Sequence, residues 1–357
     1  YVGCVRCERQ SVGQGRPTIL QIIPQLDAGG AEATTLEIVE ALVAAGARAL
    51  VATDGGRGAG EVTRLGGELV PFPAATKNPA RLVANAVRLA RLVRAEDVGV
   101  IHARSRAPAW SGLVAARRTG VAFVTTYHGA YGTASALKNV YNGIMARGDI
   151  VIANSGFTRN LILGRHRVAP EQIRVVPRGV DLISFDPARI APERVARLRA
   201  AWSVAADRPL LLHAARLTGW KGQSVVIEAA RLLKARGALG GLVFVLAGDP
   251  QGRSSHVASL RRAIAGAGLD DAVRLVGHCD DMPAAFLTAT ATIVASSEPE
   301  AFGRAVTEAS AMGSPVIATA HGAPAETVIT EGAGRTGWLV PPANAEALAR
   351  AIETAMS

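Results

Sequence analysis

Short apolar runs rich in valine and isoleucine recur along the chain, and most are followed by a stretch with helical periodicity. The runs predict strands at 18–25, 48–53, 68–72, 98–103, 122–127 and 150–153, and again at 209–214, 241–247, 273–277, 290–295 and 315–319. Helices are predicted between them at 31–45, 79–94, 108–119, 157–164 and 224–236. Because the strands lack strict alternation of polar and apolar residues, both of their faces should be buried. The pattern therefore indicates parallel sheets built from successive βαβ units.

The series has one natural break, at residues 177–181, where a strand ends in proline and glycine and a polar stretch follows. We therefore expect an α/β protein of two tandem doubly wound, Rossmann-like domains that face each other across a cleft. The predicted limits are 18–178 and 179–341, flanked by an N-terminal extension at 1–17 and a C-terminal helix at 342–357. Since ligands of such sheets bind beyond the carboxyl ends of the strands, the chemistry is expected in the cleft.

The composition is that of a folded protein. The chain has 357 residues, 49% of them hydrophobic and 19% charged, which excludes a disordered chain. It contains no uninterrupted apolar run of about 18 residues, and its N-terminus is charged, so neither a membrane span nor a secretory leader is expected. Three cysteines, an odd number, make a disulfide framework unexpected. We therefore expect a cytoplasmic protein.

The net positive charge of the chain comes from its first half. Residues 1–178 carry 22 lysines and arginines against 12 acidic residues, whereas residues 179–357 carry 17 of each. A one-sided basic field attracts anions such as nucleic acid, an acidic membrane surface or a phosphorylated substrate. The alternative is an arginine-rich surface that is merely solvated.

Three segments carry candidate chemistry. Gly29 and Gly30 follow the first strand, where backbone N–H groups at a helix start can approach an anion or a sugar. Arg216 and Lys221 flank the loop after the strand at 209–214, where two cations can bracket a diphosphate. The alternatives are a glycine needed only for a tight turn and an ordinary pair of surface cations.

The third segment is the most specific. Glu300 and Glu308 lie eight residues apart around a helix expected to start near Phe302, so the N–H groups of Phe302, Gly303 and Arg304 should face a ligand. Glu308 would then accept hydrogen bonds from a ribose diol, and Glu300 from hydroxyls of a sugar. Without the neighbouring motifs, the alternative is a capped and solvated helix start.

Signals for a metal site are weak. Cys4 and Cys7 have the spacing of metal ligands, but no second pair accompanies them, and Cys279 stands alone. Asp280 and Asp281 are adjacent, and they are better explained as the cap of a helix that begins at residues 282–283. No metal site is therefore expected.

Taken together, these segments resemble the GT4 family of retaining, nucleotide-sugar-dependent glycosyltransferases with the GT-B fold. The likeness covers about residues 18–341. It rests on residues 29–32, 126–129, 154–155, 177–181, 216–222, 248–249, 277–283, 300–308 and 337–341, in that order.

The resemblance implies an acceptor-side first domain and a second domain that binds a UDP- or GDP-linked sugar. Arg216 and Lys221 would contact the donor diphosphate, Glu308 the ribose, and Glu300 the sugar, together with the backbone of Phe302 and Gly303. His128 would face the donor sugar and hydrogen-bond to it or to the leaving phosphate. The resemblance also implies no cofactor, no required divalent metal and no agreed covalent nucleophile.

The sequence departs from the family pattern at four places. A usual double glycine is His321 and Gly322 here, which leaves the register of Glu326 open, and the asparagine often found in the segment at 177–181 is Arg178. Relatives continue into a terminal helix beyond the helix predicted at 344–356, so we expect either a trimmed chain or a different hinge. Residues 1–16 match nothing in the family and are expected to be a flexible extension or a remnant.

The acceptor has to be inferred from the first domain. The helix predicted at 79–94 carries Arg81, Arg88, Arg91 and Arg94, and together with Arg117, Arg118 and Lys138 these residues can rest on anionic headgroups. Snorkelling arginines on a packed helix are the alternative. Since enzymes of this kind often extend lipid-linked glycans, we expect a membrane-associated glycolipid or lipopolysaccharide precursor, with peripheral binding to the inner face of the cytoplasmic membrane.

Other acceptors and functions stay open at this point. A soluble acceptor is the alternative to a membrane-bound one, and nucleic acid is not expected as a partner. A nucleotide-sugar 2-epimerase of the same fold would need extra acid–base carboxylates and no acceptor. A non-catalytic sugar-nucleotide-binding protein is the third possibility, and the retained charged motif residues argue against it.

Overall fold

The computed structural model describes residues 16–27, 29–131 and 135–357. The predicted N-terminal extension, apart from its last two residues, and the Cys4–Cys7 pair lie outside this range, as does Ala28 in the loop before Gly29. The chain forms two compact units. The first unit contains the described residues up to Ala153 together with Ile162–Arg174, and the second contains Asn154–Leu161 and Val175–Ser357.

The first unit is built on a seven-stranded sheet in the order β3-β2-β1-β4-β5-β6-β7. Its strands are β1 (Thr18–Ile22), β2 (Arg48–Thr53), β3 (Glu68–Pro71), β4 (Val98–Ala103), β5 (Ala122–Tyr127), β6 (Ile150–Ala153) and β7 (Ile173–Val175). The helices along this part of the chain are α1 (Gly30–Ala44), α2 (Ala59–Arg64), α3 (Pro79–Ala95), α4 (Arg106–Thr119), α5 (Ala136–Gly143) and α6 (Gly156–Arg165). The strand order reverses between β1 and β4, as in a doubly wound sheet.

The second unit repeats this arrangement with six strands in the order β10-β9-β8-β11-β12-β13. The strands are β8 (Leu210–Ala214), β9 (Val243–Ala247), β10 (Val273–Gly277), β11 (Ala291–Val294), β12 (Val316–Thr319) and β13 (Gly337–Val340). The helices are α7 (Pro192–Ala201), α8 (Gln223–Ala235), α9 (Ser254–Gly266), α10 (Met282–Thr288), α11 (Arg304–Ala311), α12 (Pro324–Thr327) and α13 (Ala345–Met356). All pairings from β8 to β13 are parallel.

The predicted fold class of two α/β Rossmann-like units is confirmed. That the units face each other across a cleft, and the domain limits drawn from the sequence, stay predictions. Apolar side chains from both faces of the second sheet form two buried clusters, one around Leu211, Phe244 and Ile317 and the other around Leu212, Val245 and Val316. Burial on both faces explains why the strands lack an alternating pattern.

Two strands are not among the predicted apolar runs, although the sequence analysis places the end of a strand at residues 177–181. Strand β7 has only three residues and two of them are exposed, so no apolar run marks it. Strand β13 begins with Gly337, where a Cβ would lie 1.9 Å from the carbonyl oxygen of Val316 on the neighbouring strand. Glycine is therefore required there by close backbone approach, although it is a poor strand former.

Within the acidic pair at 280–281, Asp281 has the capping role that the sequence predicts. Asp281 is the N-cap of α10, and its carboxylate accepts a hydrogen bond from the N–H of Ala284 at 3.1 Å. The same carboxylate receives two hydrogen bonds from Arg194, which holds the pKa of Asp281 below its usual value. Helix α7, which carries Arg194, is thereby tied to the start of α10. No helix in the described part of the chain is long and apolar enough to span a bilayer.

Candidate functional site

The candidate site of the second unit lies where the strand order of its sheet reverses. Strands β8 and β11 are parallel neighbours at this point, so the loops after them emerge side by side. The loop after β8 carries Arg216 and Lys221, and the loop after β11 leads to Glu300. The topology therefore brings together side chains that lie 79 residues apart along the chain.

The loops after β8 and β11 contact each other through their backbones. Gly219–Lys221 form a short 3₁₀ turn that ends at Gly222, whose φ of +80° is in the left-handed region. A Cβ at Gly222 would lie 1.9 Å from the carbonyl oxygen of Ala295, so only glycine fits there. The N–H of Ser297 donates to the carbonyl oxygen of Trp220 at 2.8 Å. Both contacts fix the position from which Lys221 projects.

The ammonium of Lys221 is held between a carboxylate and an aromatic ring. It donates a hydrogen bond to Oε1 of Glu300, and it lies 4.2 Å from the centroid of the Trp220 ring. Oε1 of Glu300 also accepts a hydrogen bond of 2.5 Å from the hydroxyl of Ser296. The side chains of Lys221 and Glu300 are only 16% and 10% exposed. Both charges are thus largely withdrawn from water and depend on each other.

The backbone of Glu300 is fixed by the segment that replaces the family's double glycine. Gly322 forms a parallel bridge with Glu300, has a φ of +88°, and a Cβ there would lie 2.2 Å from the carbonyl oxygen of Glu300. That oxygen accepts the N–H of Ala323 at 2.9 Å. His321 also contacts Glu300, because its carbonyl oxygen accepts the N–H of that residue at 3.3 Å.

The helix between the two glutamates begins later than predicted. Helix α11 starts at Arg304, because Gly303 adopts a left-handed conformation with a φ of +81°. The prediction of a start near Phe302 is therefore wrong by two residues, and the side chain of Phe302 is buried. Glu308 accepts a hydrogen bond of 2.9 Å from Nε of Arg304, one turn earlier on the same helix.

Arg216 is not part of the pair that Lys221 forms with Glu300. Its guanidinium is exposed and has no hydrogen-bond or ion-pair partner among the described residues, while its carbonyl oxygen accepts from the side chain of Gln223. The structure thus pairs Lys221 with Glu300 rather than placing Arg216 and Lys221 as two open cations. No three His, Cys, Asp or Glu side chains form a group that could hold a metal ion in the described ranges.

A buried histidine lies on β8, below the loop that carries Lys221. Nδ1 of His213 is 2.9 Å from the carbonyl oxygen of Ile293, so this nitrogen must carry the proton and donate. Burial, assisted by the positive charge of Lys221, lowers the pKa of His213 to about 4. The ring is therefore neutral near pH 7.

The remaining predicted residues lie in the first unit. Gly29 is the extended N-cap of α1 and Gly30 is the first residue of that helix. A Cβ at Gly29 would lie 2.3 Å from a carboxylate oxygen of Glu32. His128 directly follows β5 and is half-buried, and its N–H donates to the hydroxyl of Tyr131 at 3.4 Å. The functional roles of these residues stay predictions.

A small polar pocket next to this loop was missed by the sequence analysis. It has a volume of about 150 Å³ and is lined by Tyr127, Tyr131, Asn139, Asn142, Arg165 and His166. Arg106 donates to Oδ1 of Asn142 at 2.7 Å and lies 4.4 Å from the centroid of the Tyr131 ring. Arg165 donates to the carbonyl oxygen of Tyr131 at 2.6 Å. These residues come from β5 and the loop after it, from α4 and α5, and from the end of α6 and the residue that follows it. Because they are spread along the sequence, no local motif predicts the pocket.

Glu326 also has a role that the motif comparison left open. It lies on α12, and its carboxylate accepts the N–H groups of Gly156 (2.9 Å) and Phe157 at the start of α6. The hydroxyl of Ser155 donates to the carbonyl oxygen of Ala301 at 2.7 Å. The Asn154-Ser155 motif therefore serves to attach the beginning of α6 to the loop after β11.

Two protein-family models match the chain. A family model described as Glycosyltransferase Family 4 matches residues 28–183, and one described as Glycosyl transferases group 1 matches residues 195–357. The chain belongs to the group 1 glycosyltransferases. The resemblance based on the motifs is thereby confirmed for family and fold, whereas the retaining mechanism stays a prediction.

Relatives and solved structures agree with this assignment. The chain is 30% identical to the D-inositol 3-phosphate glycosyltransferase of Nocardioides sp. over 79% of its length and 67% of the relative's. The matches span about half to two thirds of the length of such curated relatives. A glycosyltransferase structure from Rickettsia africae is 33% identical and superimposes with a TM-score of 0.85 over 96% of this chain and 88% of that one.

A third comparison concerns a protein solved with its ligand. Anabaena HepE in complex with UDP-glucose superimposes with a TM-score of 0.82 over 95% of this chain and 90% of that one. The identity is 24%, so this likeness shows the shared fold.

The backbone contacts between the loops after β8 and β11 yield a first prediction. Gly222→Ala should displace the turn that carries Lys221, since the added methyl collides with Ala295 and the left-handed conformation disfavours alanine. We expect a loss of stability of about 2 kcal/mol or more, measured by denaturant unfolding. Gly219→Ala is the matched control, because a Cβ at Gly219 meets nothing within 4 Å. Equal stability of the two variants would show that the close approach of Gly222 to Ala295 does not stabilise the two loops.

Proposed function

We propose that the protein is a retaining hexosyltransferase that moves a sugar from a UDP- or GDP-linked donor to an acceptor. The observation that carries this proposal is the Lys221–Glu300 pair at the ends of β8 and β11. It supplies, in one place, a cation suited to a diphosphate and a carboxylate suited to sugar hydroxyls. The complexes of the related fold in HepE with UDP and UDP-glucose support a nucleotide-sugar donor.

In the proposed reaction, the bond between the anomeric carbon and the diphosphate oxygen breaks, and a bond from that carbon to an acceptor oxygen forms on the same face. The acceptor hydroxyl gives its proton to the departing diphosphate. Negative charge grows on the leaving diphosphate. Lys221 and Arg216 stabilise it, so that no metal ion is required. Glu308 accepts from the ribose hydroxyls, Glu300 and the backbone at Phe302 and Gly303 hold the sugar, and Gly29 and Gly30 offer N–H groups to the donor. His128 hydrogen-bonds to the sugar or to the leaving phosphate.

We propose a membrane-associated glycolipid or lipopolysaccharide precursor as the acceptor. The support is the exposed side of α3, which we call the arginine face: Arg81, Arg88, Arg91 and Arg94. All four are exposed, and Val83 among them is 66% exposed, while Leu89 and Val93 on the opposite side are buried. Such a surface attracts anionic lipids to the protein without any membrane-spanning segment. The protein would then act at the inner face of the cytoplasmic membrane.

A second acceptor class, a small phosphorylated polyol, is favoured by the polar pocket in the first unit. Its lining offers amides, phenols, an imidazole and Arg165, and no carboxylate. Burial lowers the pKa of His166 and raises that of Tyr127 to about 12, so both are neutral near pH 7 and suited to hydroxyl groups. Arg165 and Arg106 add positive charge. The relatives named D-inositol 3-phosphate glycosyltransferases act, by their names, on an acceptor of this class.

The donor site predicts selective nucleotide binding. Calorimetry with UDP, GDP and ADP should show one preferred nucleotide, and its sugar series should be hydrolysed slowly without acceptor. Glu308→Ala should weaken binding of that nucleotide about tenfold, since a charged hydrogen-bond partner of the ribose is lost. Lys221→Ala should lower kcat more than donor affinity if its contact strengthens as the diphosphate leaves. Glu331→Ala, at an exposed position, is the control.

Three results of this experiment would contradict the proposed transferase activity. Epimerisation of the donor would identify a 2-epimerase. Tight binding without hydrolysis or transfer would identify a binding protein. Failure to bind any of the three nucleotides would remove the donor site altogether.

The arginine face predicts salt-sensitive binding to anionic vesicles. In a sedimentation assay with phosphatidylglycerol vesicles, Arg88→Gln/Arg91→Gln should lower the partition coefficient about fivefold to tenfold at low salt, by removing two lipid-facing charges. The difference should fade at high salt, because exposed charges are screened. Arg261→Gln/Arg262→Gln on exposed α9 is the matched control with the same charge change. Equal effects of the two double variants would refute a specific membrane surface.

The polar pocket predicts a separate result for a soluble acceptor. Arg165→Gln should weaken binding of D-inositol 3-phosphate about tenfold while changing that of myo-inositol less than twofold, because the guanidinium pairs with the phosphate. Arg167→Gln, two residues further and exposed, should leave both affinities unchanged. No binding of D-inositol 3-phosphate to the unaltered protein would exclude this acceptor.

A further inference from the structure

Lys221, the lysine proposed to contact the donor diphosphate, has an anionic partner within the protein. Its ammonium faces the Glu300 carboxylate on one side and the indole ring of Trp220 on another. We propose that Glu300 occupies the place of the donor diphosphate on Lys221, and that its recapture of Lys221 expels the nucleoside diphosphate product. This inference rests on the proposed function of the site.

The pair has to open, rather than be shared, when a diphosphate arrives. An ammonium has three hydrogens, one of which is directed to Glu300 while the Trp220 ring covers another direction. A diphosphate that joined the pair would place its negative charge next to the Glu300 carboxylate in a site largely withdrawn from water. Like charges repel strongly under such conditions. Exchange of one anion for the other is therefore the favourable outcome.

The exchange requires side-chain rotation only. Gly222 is held against Ala295, and Gly322 against Glu300, so the backbones that carry Lys221 and Glu300 are fixed. A lysine side chain has rotatable bonds enough to move its ammonium from one oxygen to another. The indole ring of Trp220 offers the ammonium an attractive surface during that movement.

The presence of the sugar determines whether Lys221 pairs with the diphosphate or with Glu300. When an intact donor binds, sugar hydroxyls can donate to the Glu300 carboxylate that Lys221 has left. Once the sugar has gone to the acceptor, Glu300 retains the single hydrogen bond from Ser296. The Glu300 carboxylate then lacks the sugar hydroxyls and the Lys221 ammonium. It regains a hydrogen bond and a counter-ion when Lys221 pairs with it again. The product thus loses a contact that the substrate keeps.

A double-mutant cycle on nucleotide binding tests this exchange. Calorimetry with UDP or GDP, whichever the unaltered protein binds more tightly, is carried out on Glu300→Gln, Lys221→Met and the double variant. We expect Glu300→Gln to tighten binding of the nucleoside diphosphate about tenfold, chiefly by slowing its dissociation. In the Lys221→Met background the same substitution should change the affinity less than twofold.

Two outcomes of the cycle would overturn the proposal. If Glu300→Gln tightens binding equally with and without Lys221, the carboxylate merely repels the diphosphate. If it does not tighten binding at all, Glu300 does not compete for the lysine. Glu298→Gln is the matched control, because it removes the same charge two residues away at an exposed position and should leave the affinity unchanged.

The unaltered protein provides a second readout that does not depend on the stability of the variants. Movement of the ammonium relative to the Trp220 ring should change tryptophan fluorescence when the nucleoside diphosphate binds, and Trp220→Phe should abolish that change. Binding without any Trp220-dependent change would show that Lys221 has not moved. If the nucleotide binds but the double-mutant cycle or the fluorescence measurement gives the negative result, only the exchange is refuted and the proposed function is not. If no nucleotide binds, both the exchange and the proposed function are refuted.

Discussion

The contact between the Lys221 ammonium and the Glu300 carboxylate is the interaction on which the candidate site depends. Both groups are largely buried, and removal of either one would leave the other charge without its partner. The parallel pairing of β8 with β11 creates the contact, and the glycines at 222 and 322 allow the backbones to approach closely enough to keep it. Hydrogen bonds from Ser296 to Glu300 and from Ser297 to Trp220 complete the support. In our proposal, a diphosphate that binds to the Lys221 ammonium opens this ionic pair.

Much of the fold follows from the sequence because parallel strands buried on both faces must be continuous apolar runs. Strands β2, β4, β5, β6 and β10 have the limits expected from such runs. The helix after Glu300 was placed too early, since apolar periodicity starts at Phe302 while the left-handed Gly303 delays the first helical turn. A Cβ at Gly303 would lie 3.2 Å from Cγ of Pro324, so the space at this position depends on a residue that is distant in the sequence and that no local pattern reveals.

The sequence predicted which residues belong to the candidate site, but it did not predict that Lys221 and Glu300 contact each other. The motifs pointed to Lys221 and Glu300 separately, as contacts for two different parts of a ligand. That they contact each other follows only from the sheet topology, across 79 residues of sequence. Glu326 shows the same limit, because its partners at the start of α6 lie 169 and 170 residues away. Long-range hydrogen bonds of this kind leave no trace in local composition or periodicity.

The structure of the chain with a bound nucleoside diphosphate tests the central claim most directly. Our account predicts that Nζ of Lys221 lies within hydrogen-bond distance of a diphosphate oxygen and no longer of Glu300, with the backbones at Gly222 and Gly322 unmoved. A bound diphosphate that contacts Arg216 or backbone N–H groups while Lys221 remains paired with Glu300 would contradict it.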